Sequence, residues 1–278
     1  MFFGILKAII LGIVEGITEF LPISSTGHLI IVDQFVKISS NKAFTTTFEY
    51  VIQLGAIIAV VLLYWKRLWP FGGGKTEKQR FNIWATWVKV VVGVIPSVII
   101  GFLLNDWMDK HLMNWLVVSI ALIVYGIAFI FIENYQKNRR PRVRTINHLT
   151  LADVLKIGFF QVLSIVPGTS RSGATILGGI SIGVSREAAA EFSFFLSIPT
   201  MLGVSVLKIG SYLHSHGMFS GEQIVILLVG MFVSFVVAYV VIKWLLRFIQ
   251  THDFKAFGWY RIILGVLVIA LGAIGIID

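Results

Sequence analysis

The sequence contains no cysteine, which excludes disulfides, thiolate metal sites and cysteine nucleophiles, so folding needs no oxidising compartment. Charge is scarce as well. Asp, Glu, Lys and Arg make up 13% of the 278 residues, whereas a soluble domain carries about a quarter, and this argues against a soluble fold. The first twenty residues also lack the basic stretch and small-residue cleavage site of a secretory leader. Glu15 and Glu19 interrupt their apolar run, so they are expected to belong to the mature protein.

Apolar residues are abundant, at 57% of the chain. Stretches long enough to cross a bilayer, roughly 17 to 25 residues, fall near 48–65, 87–104, 112–132, 192–210, 223–243 and 259–277. Two further apolar regions, 2–36 and 151–185, are interrupted. Pro22 with Ser24 and Ser25 breaks the first, and Pro167 with Gly168 breaks the second. Each is expected to form a re-entrant helical hairpin whose break lines a polar cavity, because irregular backbone at membrane depth must have its polar groups satisfied. An ordinary proline kink is the plainer alternative.

Net charge is +9, from 23 Lys and Arg against 14 Asp and Glu. The basic residues cluster in short loops between spans, which reads as membrane topology and not as nucleic-acid binding. Loop 66–86 holds Lys66, Arg67, Lys75, Lys78 and Arg80; loop 133–150 holds Lys137, Arg139, Arg140, Arg142 and Arg144; Lys243, Arg247 and Lys255 mark a third. Loops 105–111 and 211–222 carry only Lys110 between them, so the three basic loops are assigned to the cytoplasm. The two hairpins then enter from opposite faces.

The expected fold is an all-α polytopic membrane protein, a single integral domain over 1–278. It has about six full transmembrane helices and two re-entrant hairpins, arranged as two inverted-topology repeats. The repeats cover approximately 1–132 and 151–278, joined by the basic loop 133–150. Pro22-Ile-Ser-Ser25 and Pro167-Gly-Thr-Ser170 superpose at one offset, and Phe48 and Phe192 follow at nearly the same one. Such repeats place a polar site near the midplane.

Glu15 and Glu19 lie one helical turn apart, so both carboxylates share a face, with Gly12 and Gly16 offering close approach to another helix. The spacing suits two ligands for one cation. A charged side chain at mid-bilayer costs about 2.5 to 3.5 kcal/mol. Glu15, Glu19 and Arg171 together therefore cost roughly 8 to 10 kcal/mol, against native stabilities of about 5 to 15 kcal/mol. Mutual pairing near an interface would lower that cost and is the structural alternative.

Beyond the carboxylates, Ser24, Ser25 and Thr26 supply hydroxyls and His28 an imidazole, the groups of nucleophilic and acid–base chemistry. Helix capping and an ordinary buried histidine are the plain readings. At the second break, Thr169, Ser170, Ser172 and Thr175 surround Arg171 where a helix begins. Free N–H groups and a guanidinium fork make an anion cradle suited to phosphate. Glu49 and Gln53, one turn apart, are candidates for support of the site.

Two apparent motifs fail. Gly72–Thr76 resembles the end of a P-loop, but the required first glycine falls at Trp69 and no strand precedes it, so it reads as a cytoplasmic turn. His214 and His216 are read as solvated, with no further metal ligand beside them.

Glu15-Gly-Ile-Thr-Glu19, Phe-Leu-Pro-Ile-Ser-Ser-Thr-Gly-His28 and Pro167-Gly-Thr-Ser-Arg-Ser-Gly-Ala-Thr175 resemble the bacterial undecaprenyl-diphosphate phosphatase (bacitracin-resistance protein) family. Both motifs match without departure, and length and span pattern agree over the whole chain. The resemblance implies hydrolysis of undecaprenyl diphosphate to the monophosphate, which recycles the lipid carrier of cell-wall precursors in a bacterial plasma membrane. It also implies a site open to the outer face and a divalent cation, with magnesium expected and calcium the alternative. It assigns the acidic motif to Glu15 and Glu19, the catalytic hydroxyl and imidazole to Ser25 and His28, and the phosphate motif to Ser170, Arg171, Ser172 and Thr175. The nucleophile is left open among Ser25, His28 and water.

The expected partners are the isoprenoid-lipid diphosphate and membrane lipid, with a homodimer as an open option. The competing classes are a transporter or flippase, which shares the inverted-repeat design, and an intramembrane serine protease using Ser170 and His28. In the protease Arg171 and the paired carboxylates would have no role.

Overall fold

A computed structural model describes residues 1–277, with the side chains at 105, 106 and 108–110 left aside. The regular secondary structure of the described residues is all helical, apart from one isolated bridge between Val143 and Val184. In chain order the helices are α1 (Phe2–Thr18), α2 (Ser25–Phe35), α3 (Lys42–Leu63), the single turn α4 (Trp65–Leu68), α5 (Glu77–Leu112) and α6 (Trp115–Gln136). Then follow α7 (Leu151–Val162), α8 (Arg171–Ser181), α9 (Arg186–His216), α10 (Gly221–Thr251) and α11 (Lys255–Ala273).

Six of these are long and apolar enough to cross a membrane: α3, the 77–104 part of α5, α6, α9, α10 and α11. The helices run past the apolar windows at their polar ends, because capping side chains satisfy the first free N–H groups there. Thr76 with Gln79, and Ser220 with Gln223, form capping boxes on α5 and α10. Ser185 accepts from the Ala188 N–H and starts α9 six residues before Phe192.

Polarity is arranged for lipid. Phe102, Leu103, Phe232 and Ile263 face outward, while Glu15, Ser193, Ser197, Ser234 and Arg261 are fully buried. Charge at this depth is retained in membrane proteins where the bundle interior uses it. Close helix approach replaces the hydrophobic drive that lipid removes. A Cβ on Gly12 would stand 2.7 Å from the Gly230 carbonyl, and one on Gly126 2.6 Å from that of Gly258, so α1 meets α10 and α6 meets α11 almost backbone to backbone.

The loop after α6 is pinned. Glu133, 2% exposed, takes a bidentate pair from Arg186 and the Phe254 N–H. The Arg142 N–H donates to the Gly183 carbonyl and the Arg142 guanidinium pairs with Asp153 at 2.5 Å. Loop 137–150 is thereby tied to the starts of α7 and α9, which fixes α8 and its preceding break from one side.

Candidate active site

Two helix–break–helix units, α1/α2 and α7/α8, meet at their breaks. Each break ends on a serine in the left-handed region, Ser24 at φ 73° and Ser170 at φ 69°. These are the only non-glycine residues so placed among the described residues, and such a conformation costs an L-residue energy and collects at functional sites. Each serine offsets the cost by capping the next helix: Ser24 Oγ accepts from the Gly27 N–H at 3.2 Å and Ser170 Oγ from the Gly173 N–H at 3.1 Å.

The breaks are bound to each other. Ser172 Oγ donates within reach of the Glu19 and Leu21 carbonyls, at 3.0 and 3.2 Å. From α11 the Arg261 guanidinium donates to the carbonyls of Pro22 (3.2 Å), Gly168 and Thr169 (2.9 Å each). Carbonyls that no helix can satisfy find a fixed fork of donors there.

The Glu19 carboxylate is the centre of this arrangement. Its Oε2 accepts from Ser25 Oγ at 3.0 Å and its Oε1 from Arg171 Nη2 at 3.2 Å. Arg171 is held in turn: Nη1 donates to the Ser193 carbonyl at 3.0 Å, and Thr175 bonds both the Arg171 carbonyl and Ser193 Oγ. Its Nε, fully buried, has no partner. Glu15 sits one turn before Glu19, wholly buried, with neither oxygen hydrogen-bonded. The charges that act on it are Glu19, Glu49 and Arg171.

His28 faces elsewhere. Its Nδ1 lies 2.7 Å from the Ser24 carbonyl and its Nε2 2.7 Å from the Tyr260 hydroxyl, with the two rings nearly parallel at 9°. A carbonyl only accepts, so in the neutral ring Nδ1 carries the proton and Nε2 accepts from Tyr260. No hydrogen bond joins His28 to Ser25.

Of the residues expected from sequence, Glu15, Glu19, Ser25, Arg171, Ser172 and Thr175 come together. Ser24 and Ser170 are engaged as caps, and Thr169 is buried beside Tyr125. Thr26 is half-buried without a side-chain hydrogen bond, Glu49 on α3 is near enough for its charge to act on Glu15, and Gln53 is half-buried and hydrogen-bonds nothing in the site. His214 and His216 are exposed.

Arg261 and Tyr260 were absent from that set. The signal for Arg261 was present, since a lone arginine inside an apolar span is a functional candidate by its cost alone. Tyr260 gives no such sign, because tyrosine near a span end is the ordinary anchor at the membrane interface.

The family model for bacitracin resistance protein BacA matches residues 8–267. Curated relatives include an undecaprenyl-diphosphatase of Limosilactobacillus fermentum, 62% identical over 97% of this chain and 98% of the relative. Proteins of the same name from Lacticaseibacillus paracasei and Leuconostoc citreum are 59% and 55% identical. They cover 96% and 99% of this chain, and 98% and 99% of the relatives. With both motifs at the meeting of the two breaks and likeness running nearly end to end, the chain belongs to the bacitracin resistance protein BacA family.

Proposed function

We propose that this chain hydrolyses undecaprenyl diphosphate to undecaprenyl phosphate and inorganic phosphate. In a bacterial plasma membrane this returns the lipid carrier to cell-wall synthesis and gives resistance to bacitracin. The names of its relatives and the motifs they share support this, and one geometric observation carries the chemistry: Ser25 donates its hydroxyl proton toward a Glu19 carboxylate that Arg171 holds in place.

In this reading Ser25 Oγ attacks the terminal phosphorus and its proton passes to Glu19. The bond from phosphorus to the bridging oxygen breaks, and undecaprenyl phosphate leaves with that oxygen's electron pair. Water then cleaves the phosphoserine, releasing phosphate and restoring the hydroxyl. Arg171 and the α8 N-terminus hold the phosphate oxygens, supplying the positioning and charge stabilisation that dominate phosphoryl transfer. The Oγ–Glu19 contact favours Ser25 as nucleophile over His28, whose Nε2 is engaged by Tyr260.

A magnesium ion fits the unpartnered oxygens of Glu15 together with Glu19, an all-oxygen set of hard donors. No group of three or more acidic or histidine side chains is placed to hold a metal among the described residues. The ion would thus complete its shell with phosphate oxygens and water, and would neutralise phosphate charge.

The paired breaks with matching serine caps support two inverted repeats with re-entrant hairpins. In that arrangement the diphosphate reaches the breaks from the outer face while the isoprenoid tail stays in lipid between spans. The same design serves transporters, so the assay must separate the two.

Phosphate release from undecaprenyl diphosphate in detergent should depend on a divalent ion and stop with a chelator. It should fall about 10⁴-fold or more in Ser25→Ala, on the scale of nucleophile removal in a serine hydrolase. A folded wild type that releases no phosphate with magnesium or calcium would sink the phosphatase reading in favour of transport.

A further inference from the structure

A cavity of roughly 500 Å³ opens on the face of the basic loops, away from the breaks, where the turn before α5 meets residues 146 and 147. One wall is fixed by Lys89, whose ammonium donates to the Ile146 and Asn147 carbonyls at 3.0 and 2.8 Å. Lys66, Arg67 and Lys75 line it, with the Asn82 and Asn147 amides.

Of these cations only Arg67 has an acidic partner, Glu191 on α9. Lys75 spends one of its three donors on the Trp69 carbonyl, and Lys66 has no hydrogen bond or ion pair. The cavity therefore holds a cationic excess with free donors.

The wall nearest Lys75 is the Gly72–Thr76 turn. Gly74 has φ 86°, and a Cβ built on Gly73 or Gly74 would meet nothing within 4 Å. Its backbone is bare to a ligand, with the Thr76-capped start of α5 beside it. A nucleotide loop is not formed, because no strand leads into it.

What stands beside the mouth identifies the ligand. Trp65, Trp69, Phe71 and Trp84 form a continuous exposed ladder, with successive ring centroids 5.0, 5.4 and 6.0 Å apart. Amphipathic aromatic rings settle at headgroup level. A basic pocket at that depth takes an anionic headgroup, and its volume suits a small polar ligand.

We propose that this cavity is a second anion site, separate from the catalytic breaks, that binds the phosphate of an anionic phospholipid headgroup. Lys66 and Lys75 supply the charge and the glycine turn the backbone approach.

The test is a titration of the detergent-solubilised full chain with short-chain phosphatidylglycerol, phosphatidylcholine or inorganic phosphate, following the rise in unfolding temperature. Lys66→Gln/Lys75→Gln should weaken the apparent affinity for phosphatidylglycerol about thirtyfold, from the roughly fivefold that each basic residue contributes at an anionic surface. Lys78→Gln/Arg80→Gln removes the same charge from the adjoining first turns of α5, outside the cavity, and should leave the affinity near wild type. Phosphatidylcholine should have little effect.

Stabilisation by inorganic phosphate with the same variant pattern would keep the site and assign it to free phosphate. Equal weakening in both double variants, or in neither, would overturn the cavity as the binding site.

Discussion

The two helix–break–helix units, α1/α2 and α7/α8, share a backbone device and differ in almost everything else. In α8 the run Ser172–Ile180 is buried without interruption, whereas in α2 only Gly27 and Leu29 are. The first unit brings the carboxylates and the Ser25 hydroxyl, and the second brings the arginine and hydroxyls that anchor it. Burial thus falls on the half that, in the proposed reaction, holds a multiply charged phosphate in fixed geometry. The half carrying Ser25, the nucleophile of the proposed reaction, keeps the more exposed flank. Positioning is worth most where the donors cannot relax, and α8 is built for that.

The largest effect that would sharpen this contrast is at Arg171. Arg171→Ala should reduce kcat about 10²- to 10³-fold, the range for loss of one preorganised donor. Arg171→Lys should recover little, because one ammonium cannot span the Glu19 carboxylate and the Ser193 carbonyl together. Thr26→Ala, on the more exposed α2, should change kcat less than about twofold, as expected of a residue without a partner. Comparable losses in steady-state phosphate release at the two positions would erase the distinction.

A smaller effect, on stability, comes from the clamp between the two breaks. Arg261→Met keeps an unbranched apolar stem but strands the buried carbonyls of Pro22, Gly168 and Thr169, each costing about 1 to 3 kcal/mol when unpaired. The thermal unfolding midpoint in detergent should fall clearly, with Arg261→Lys between Met and wild type. An unchanged midpoint with lost activity would mean that Arg261 acts on substrate and does not tie the breaks.

Much of this was legible in the sequence because lipid leaves few explanations for charge. Glu15, Glu19 and Arg171 stood out by cost, and proline beside serine marked where helices stop. The six spans followed from length and hydropathy. Their ends did not, since caps such as Ser185 extend helices through polar sequence that no apolar window includes.

The register between the breaks was also one residue off. Superposing the prolines pairs Ser25 with Ser170, whereas backbone and capping pair Ser24 with Ser170. The second break contains one more residue between its proline and its cap. Gly168 lies there at φ 88°, where a Cβ would come 2.5 Å from the Val118 carbonyl. Pairing of residues distant in sequence, as between Arg261 and both breaks, leaves no periodic trace at all.

The smallest expected effect concerns His28 and distinguishes a positioning role from a chemical one. Tyr260→Phe removes the hydroxyl on Nε2 while keeping the parallel ring contact. If Tyr260 acts by orienting His28, kcat should fall less than about tenfold, within the 0.5 to 3 kcal/mol range of coupled neighbours. Against a His28→Gln background the same change should then cost almost nothing further. Independent, additive losses in phosphate release would instead place Tyr260 in its own contact with the substrate. Acceleration by Tyr260→Phe would mean that the hydroxyl masks a base the reaction needs free. His28 would then join the chemistry of the α1/α2 unit, and Tyr260 would be what holds it back.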